Sequence, residues 1–460
     1  MPKKYHIDVQ NTPHRYPTIG RSGIVDWGEG CLKCAVCVKE ECVYDAYRKR
    51  SFSSDIFGDT IDELCKNCFR CVQGCPKRLI HKTLNPEWEA LGDDVYTPET
   101  IAAAWEQAAT GKIPVSGAGY GGAYAGPGFD SMWTDMSEIV RPTRDGIHGR
   151  EYISTVVDIG RRPSKLEFDA RGNILTEYPP FLRIPVPMVF DIPRFGDFSP
   201  AVWEAIAGAA VTLGTRAIVP ESVARQLPQF KSCLIPLVEG GQAEVEWAAG
   251  FEAVELPDSE TVLEEAARIR ARNPGSIVFI RVSAVTGNVD RIAELAREGA
   301  GVIHCVASER GYEPDVEEAV HIKDIIRSVH AKLMEISLRD EVTIIAGGGV
   351  AMAEHVIKAM LCGANLVTVD VPLLLALECR VCRNCVEGGE CPVRIASIDP
   401  TWGSRRMVNL MGAWHNQMLE MMGAMGIREA RRLRGEQGRV MFFEDLENST
   451  FARLFHGKTS

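Results

Sequence analysis

The sequence predicts an α/β protein built on a (β/α)8 TIM barrel, with a cysteine-rich module before the barrel and a cysteine-bearing helical extension after it. Three observations carry that expectation. Short β-type runs alternate with helical periods eight times between about residues 185 and 378. Twelve of the fifteen cysteines fall into three tight groups, two before that region and one after it. The chain has 460 residues, more than one hydrophobic core accommodates, since single cores stop growing at roughly 250–300 residues.

Residues 1–110 hold the first two cysteine groups on short polar connections, with helix-like stretches only at EWEALGDD and PETIAAAWEQAAT, and read as a small ferredoxin-like domain. The glycine-rich passage GKIPVSGAGYGGAYAGPGFD opens a linker and connecting arm at 111–184, in which ISTVVDIG alternates like a strand. The barrel is expected at 185–378. Its strands are 187–192, 216–219, 233–238, 251–256, 276–282, 301–306, 342–347 and 365–370, each followed by a helical stretch. A doubly wound open sheet is the alternative, because periodicity does not show closure. Residues 379–460 carry the third cysteine group and a helical tail, MVNLMGAWHNQMLEMMGAMG and then IREARRLRG. The methionines of that tail read as packing fillers, and Arg428, Arg431, Arg432 and Arg434 as a solvated helix face.

Charge excludes some functions. A net charge of -11 argues against nucleic-acid or anionic-membrane partners, which need a basic surface. The N-terminal MPKKYHIDVQNTPHRYP lacks the apolar core of a signal peptide, and the longer apolar stretches are interrupted by charges such as Glu204 and Arg216, so no membrane span is expected. Clustered cysteine in a cytoplasmic chain implies metal or redox chemistry in a reducing, oxygen-poor setting.

The first group is Cys31, Cys34, Cys37 and Cys42, and the second is Cys65, Cys68, Cys71 and Cys75 followed by Pro76. Two-residue spacers let three thiolates curl around one face of an iron–sulfur cube, and in ferredoxin-type pairs the fourth ligand follows the other triad. One [4Fe-4S] cluster is therefore assigned to Cys31, Cys34, Cys37 and Cys75, the other to Cys65, Cys68, Cys71 and Cys42. Zinc, which takes separated Cys-x2-Cys knuckles, fits this pattern poorly. The Cys37–Cys42 gap is one residue longer than usual and lacks the proline. The third group, Cys379, Cys382, Cys385 and Cys391, is read as a third [4Fe-4S] site, with one zinc as its alternative. Cys233, Cys305 and Cys362 stand alone in barrel segments and read as buried core.

Gly347, Gly348 and Gly349 follow the expected seventh strand, and Gly363 introduces the eighth. This is where barrels bind phosphate, on backbone amides that no side chain shields. Gly117, Gly119 and Gly122 also satisfy GxGxxG, but a poor strand precedes them and AYAGPG follows, so no dinucleotide site is expected. His304, Glu309, Arg310 and Asp370 fall near the C-terminal ends of strands. Structural pairing is the first reading for each, and action on a small substrate the second.

FGDFSPAVWEAIAGAAVTLGT, VFIRVSA, IIAGGGVAMAEHVIKAMLCGAN, CRNCVEGGECPVRIAS and MVNLMGAWHNQMLEMMGAMGIREARRLRG, in that order, resemble the archaeal-type glutamate synthase large chain. The resemblance implies FMN in the barrel beside an iron–sulfur cluster. Phe195, Gly196 and Asp197 would line the flavin, Arg281 would take the place of a flavin-contacting lysine, and Gly347, Gly348, Gly349 and Gly363 would hold the phosphate. The departures are specific. The family's Asn/Thr and acidic-glycine run after the second strand appears here as AIVPESVARQLP, and its DGGTGA segment as CVASERGYEPD. There is no amidotransferase domain in this sequence. The family's three cysteines align with Cys379, Cys385 and Cys391, so Cys382 is an added thiolate that favours a four-iron over a three-iron cluster.

The expected function is an iron–sulfur flavoprotein subunit of a hetero-oligomeric oxidoreductase. It would pass electrons between FMN, three [4Fe-4S] clusters and a redox partner, either a ferredoxin or an NAD(P)H-oxidising flavoprotein. An ammonia-dependent glutamate synthase subunit and a wiring subunit with an empty barrel are the alternatives.

Overall fold

The computed structural model describes residues 5–27, 29–47, 65, 68–113, 126–134, 153–196, 198–239, 242–314, 316–446 and 450. The GxGxxG passage and Asp197 lie outside the described residues. Eight parallel strands close into a barrel: β1 Met188–Phe190, β2 Ala217–Pro220, β3 Leu234–Leu237, β4 Ala253–Pro257, β5 Ile277–Ser283, β6 Val302–Val306, β7 Thr343–Gly347 and β8 Leu366–Val369. Each is followed by a helix: α1 Pro200–Leu213, α2 Glu221–Gln226, α3 Gln242–Ala248, α4 Val262–Arg272, α5 Val289–Arg297, α6 Ile322–Glu335, α7 Ala353–Cys362 and α8 Val371–Ala376. The open-sheet alternative is thereby excluded.

Local chemistry sets these elements. Parallel strands covered on both faces must be apolar throughout, which explains runs such as VIHCV and TIIAG, in which every residue is buried. Helix α1 begins at Ser199, whose side chain accepts from the Val202 amide, has Pro200 in its first turn and ends at Gly214 with φ +66°. Cys233, Cys305 and Cys362 are buried, as expected, and burial pushes their thiols up to about 11, 12 and 12.

The N-terminal floor of the barrel is closed by an antiparallel pair, 157–160 with 181–184. The Gly160 amide donates to Thr343 Oγ1 at the base of β7 (3.2 Å), and the Arg162 amide to the Glu341 carbonyl (2.8 Å). On the barrel flank lies α9, Pro400–Ala424, packed against α1 and the helix Pro98–Thr110. Met407, Met411, Met418, Met421 and Met422 are buried there, consistent with packing fillers. The N-terminal segment is tied down by Asn409 of α9, which accepts from the Gln10 amide (3.0 Å) and donates to the Gln10 carbonyl (2.7 Å).

Two tail and module expectations are corrected. EWEALGDD forms one turn only, Pro86–Glu89. IREARRLRG forms only a short 3-10 turn at Ala430–Arg432, because Gly426 (φ +70°) stops the preceding helix and Arg431 is drawn to Asp158 on the floor (2.9 Å). Arg434 likewise pairs with Asp340. These arginines clamp the tail to the barrel floor rather than forming a solvated helix face.

Candidate functional site

The two N-terminal cysteine groups lie between strands 22–27 and 80–84, which pair antiparallel. Cys37, Cys42, Cys65, Cys71 and Cys75 pack around one small core with Ala46, Tyr47 and Ile80, so the triads are neighbours, as crossed fourth ligands require. Donors already converge on the sulfurs. Lys82 Nζ lies 2.5 Å from Cys65 Sγ, and the Leu79 amide 3.4 Å from Cys75 Sγ. Burial opposes ionisation of Cys75, but amides from Leu79, Lys77, Arg78 and Ile80 outweigh it and hold the thiol below its ordinary range.

Backbone conformation tests whether these loops suit a compact sulfur-rich object. Ten non-glycine residues among those described have positive φ: Lys33, Ala35, Asp45, Phe69, Arg78, Ser337, Glu378, Val381, Arg383 and Arg394. All but Ser337 lie within three residues of a cysteine of the three groups. Each such residue costs about 1–3 kcal/mol and persists only where something over-determines it. Left-handed residues inside a C-x-x-C spacer wrap the chain so that amides and thiols face one centre, as at Cys379, whose Sγ takes the Val381 amide at 3.4 Å. The loops fit iron–sulfur clusters.

The third cysteine loop is fastened on two sides. Arg383, between Cys382 and Cys385, donates to Glu309 at the end of β6 (2.6 Å) and to Asp93 of the N-terminal segment (3.0 Å), and lies 5.0 Å from the centroid of the Phe195 ring after β1. Trp105 Nε1 donates to the Cys379 carbonyl (3.3 Å), and the Gly92 amide to the Arg380 carbonyl (3.2 Å). Arg15 reaches both ends of the loop: its amide donates to Glu378 (2.9 Å) and its guanidinium to the Val393 carbonyl (2.5 Å). The group of Cys379, Cys382, Cys385 and Cys391 thus sits between the barrel mouth and the segment 92–105 that follows the N-terminal cysteine groups.

Inside the mouth, the strand ends carry a buried charge network instead of the branched apolar layer a barrel usually has. Arg281 on β5 makes two bonds to Asp191 after β1 (both 3.0 Å) and one to Glu255 on β4 (2.9 Å). His304 on β6 lies 2.6 Å from Glu255 through Nδ1 and 3.2 Å from Thr368 through Nε2. The carboxylate only accepts, so Nδ1 carries a proton. Burial works against the Asp191 charge, but Arg281 and then His304 outweigh it and hold that carboxyl below its ordinary range. Asp370, after β8, forms no ion pair among the described residues: burial, and secondarily the Asp191 charge, outweigh the Val371 amide and the Arg194 charge and push it up to about 7. Arg281 also edges a cavity of about 630 Å3 with Ile192, Arg194, Glu221 and Arg225, a size suited to a small-molecule site.

The glycine turn after β7 offers unpaired amides on one face and is closed on the other. Gly348 and Gly349 have φ +97° and +71°, and a Cβ on Gly349 would stand 2.6 Å from the Gly311 Cα, so the 307–311 loop packs against them. The Gly349 amide donates to the Glu309 carbonyl (3.2 Å). The Gly348 and Val350 amides, on buried residues, have no hydrogen-bond partner among the described residues. Buried amides without partners are rare in folded chains. Together with the start of α7, which has no side-chain cap, they fit a phosphate.

The candidate residues are not all gathered there. Phe195 and Gly196 line the mouth beside the third cysteine loop. Gly363 does not: it ends α7 at the opposite, N-terminal end of β8, where a Cβ would stand 2.5 Å from His330. A helix precedes its strand at the floor and not at the mouth, so Gly363 is removed from the phosphate set. Glu309 pairs with Arg383, and Arg310 with Asp93 and Asp94, which matches the structural reading of both. Sequence reasoning missed Asp191, Glu255 and Arg383. The available signal was Glu255, a charge inside the apolar run FEAVEL.

Residues 317–428 match the conserved region in glutamate synthase. Over 88% of its length the chain is 25% identical to the archaeal-type glutamate synthase [NADPH] of Dehalococcoides mccartyi, covering 92% of that protein. It is 26% identical to the Thermotoga maritima protein of that name, with 88% and 92% of the two chains covered, and 25% identical to the archaeal glutamate synthase [NADPH] of Methanocaldococcus jannaschii, with 96% and 95% covered. Mandelate oxidase with benzoyl-formic acid aligns with 66% of this chain and 97% of its own at 16% identity and a TM-score of 0.39. Among the described residues no helix is long and apolar enough to cross a membrane.

Proposed function

We propose that this chain, similar to archaeal-type glutamate synthases over most of its length, is an oxidoreductase subunit that holds FMN at the barrel mouth and three [4Fe-4S] clusters on its cysteine groups. The observation that carries the reading is the fastening of the third cysteine loop. Arg383 ties it at once to Phe195 and Glu309 at the mouth and to Asp93 of the N-terminal module. FMN at the mouth and the cluster on the third cysteine loop, held side by side by these contacts, suit electron exchange, and the N-terminal pair of clusters would pass electrons on to a partner subunit.

FMN, when bound, supplies two-electron chemistry that can be divided into single electrons. The chain's own residues set the conditions around it. The Gly348 and Val350 amides would hold the phosphate, and Phe195 would flank the ring. Arg281 does not stand as a free cation: its bonds to the Asp191 and Glu255 carboxylates place it in a network with no net positive charge. Asp370 can hold or release a proton at its carboxyl near neutral pH. The glutamate-forming site is lost on this reading, because the charged side chains at the ends of β1, β4, β5 and β6 bind each other.

Anaerobic photoreduction of the purified protein, followed by absorbance and by electron paramagnetic resonance, tests the reading. Flavin and cluster signals are expected to change together in the native chain. Arg383→Gln is expected to slow that equilibration without changing iron content. Reduction of the flavin with the clusters remaining oxidised defeats the proposal. Formation of glutamate from 2-oxoglutarate, ammonia and a reduced carrier would instead establish the retained synthase activity.

A further inference from the structure

The glycine turn after β7 is backed by a piece of the connecting arm. A 3-10 turn, Gly128–Ser131, lies against α6 and the start of α7 and runs into Met132–Thr134, which pairs antiparallel with Val440–Phe442 of the tail. Lys358 of α7 donates to the Phe129 carbonyl (2.8 Å) and to Glu354 (2.9 Å). The Phe129 ring lies 4.8 Å from that of His321 and 5.3 Å from that of His355. His321 is wedged between Gly128 of the arm and Gly311, where a Cβ on either would stand 2.6 or 2.7 Å from its Nε2, and Gly311 backs onto Gly349. The arm therefore presses on both loops that shape the turn.

His355, 3% exposed, makes the directional contact. Its Nδ1 accepts from the Ala351 amide (3.2 Å), and its Nε2 lies 3.2 Å from Asp130 Oδ1 on the arm. An amide can only donate, so Nδ1 carries no proton. In the neutral ring the proton is then on Nε2, where the Asp130 carboxylate accepts it and holds that tautomer. Asp130, Glu354 and His355 also stand within 4.8 Å of one another, as ligands of a cation would, but the Lys358 ammonium already supplies the positive charge at Glu354.

The consequence lies in the order of amides along the turn. Gly349 donates to the Glu309 carbonyl (3.2 Å) and Ala351 to His355, while Gly348 and Val350 between and before them have no partner among the described residues. Glycine at 348 and 349 would let these peptide planes rotate. Pinning the amide on each side of Val350 restrains the plane between them and keeps its N–H on the open face. A bond from the third residue of a helix back to an amide at its start is also an ordinary cap, which would stabilise α7 whatever the turn binds. The two roles differ in what they do to ligand choice.

We propose that His355, its tautomer set by Asp130, is a positioning residue that aims the Val350 amide at the phosphate of the flavin, so that the arm at 126–134 helps select a phosphorylated flavin over an unphosphorylated one. This rests on FMN at the barrel mouth and adds a source for its specificity.

The test titrates the deflavinated full-length chain with FMN and with riboflavin, read by quenching of flavin fluorescence. The native chain is expected to bind FMN about a hundredfold more tightly, as several bonds to a charged group imply. His355→Leu should weaken FMN by about tenfold or more, the effect of misdirecting one such bond, and riboflavin by less than about twofold. Asp130→Ala should shift FMN alone in the same direction, since Lys358 still holds Phe129. His355→Asn, whose Oδ1 stands in the place of Nδ1, should bring FMN back to within about threefold of native. Equal losses for both flavins, or no loss for FMN, overturn the proposal and leave His355 a helix cap. A native chain that binds both flavins equally overturns it while FMN at the mouth stands. One that takes up neither flavin overturns the redox reading and this inference together.

Discussion

Replacing Arg281 by glutamine probes whether this residue is a structural partner of two buried carboxylates or a cation held ready for a cofactor. The guanidinium makes three bonds of 2.9–3.0 Å, two to Asp191 and one to Glu255, whose side chains are 5% and 0% exposed. Removing one partner of a buried pair costs about 3–5 kcal/mol, because the remaining charge is left unsolvated. His304 still serves Glu255, so most of the cost falls on Asp191. Without Arg281, the burial that already opposes the Asp191 charge dominates, and its folded pKa rises above the unfolded one. A raised carboxyl loses stability as pH increases, so the deficit should be larger at pH 8 than at pH 5. Thermal unfolding should show Arg281→Gln melting on the order of 10 °C below the native chain at pH 8, taking about 2–4 °C per kcal/mol for a domain of this size. Adding Asp191→Asn should recover much of that loss. A variant within 2 °C of the native chain at both pH values would refute the structural role and return Arg281 to the flavin.

Other expectations follow from single contacts. Asp370, pushed up to about 7 by burial, makes the native chain lose stability as pH rises from about 4 to 7; Asp370→Asn should gain relative stability of about 1.4 kcal/mol per unit across that window and none above it, and denaturant titrations showing a pH-independent difference would contradict the assignment. Gly349→Ala puts a Cβ 2.6 Å from the Gly311 Cα at φ +71°, so it should lower stability by about 2–4 kcal/mol and release flavin into the filtrate while leaving iron content unchanged. Cys382→Ser removes the added thiolate and should convert the third cluster to a three-iron form, read as a new resonance in the oxidised protein without loss of the other two clusters.

Much of the barrel was legible because parallel strands covered on both faces write themselves as apolar runs. All eight expected strands match observed ones to within two residues at each end. The cysteine groups were legible through spacing alone. What was not legible arises from partners distant in sequence. Arg281 was visible as a charge on the fifth strand, but its bonds run to residues 90 and 26 positions away. Arg383 sits inconspicuously between two cysteines, and only the fold brings Asp93 and Glu309 to it. Gly363 was misplaced because a glycine before a strand and a glycine after one look alike in sequence, although they lie at opposite ends of the barrel. The tail IREARRLRG has helical composition, and the ion pair from Arg431 to Asp158 overrides that local preference.

The central claim is that the three cysteine groups and the barrel mouth hold redox cofactors, and it is tested most directly by assaying iron, acid-labile sulfide and flavin in the protein purified without oxygen. Three four-iron clusters and one flavin predict about twelve iron and twelve sulfide per chain with one FMN released on denaturation. Zinc at the cysteines, or iron and flavin only in trace amounts, would contradict the account.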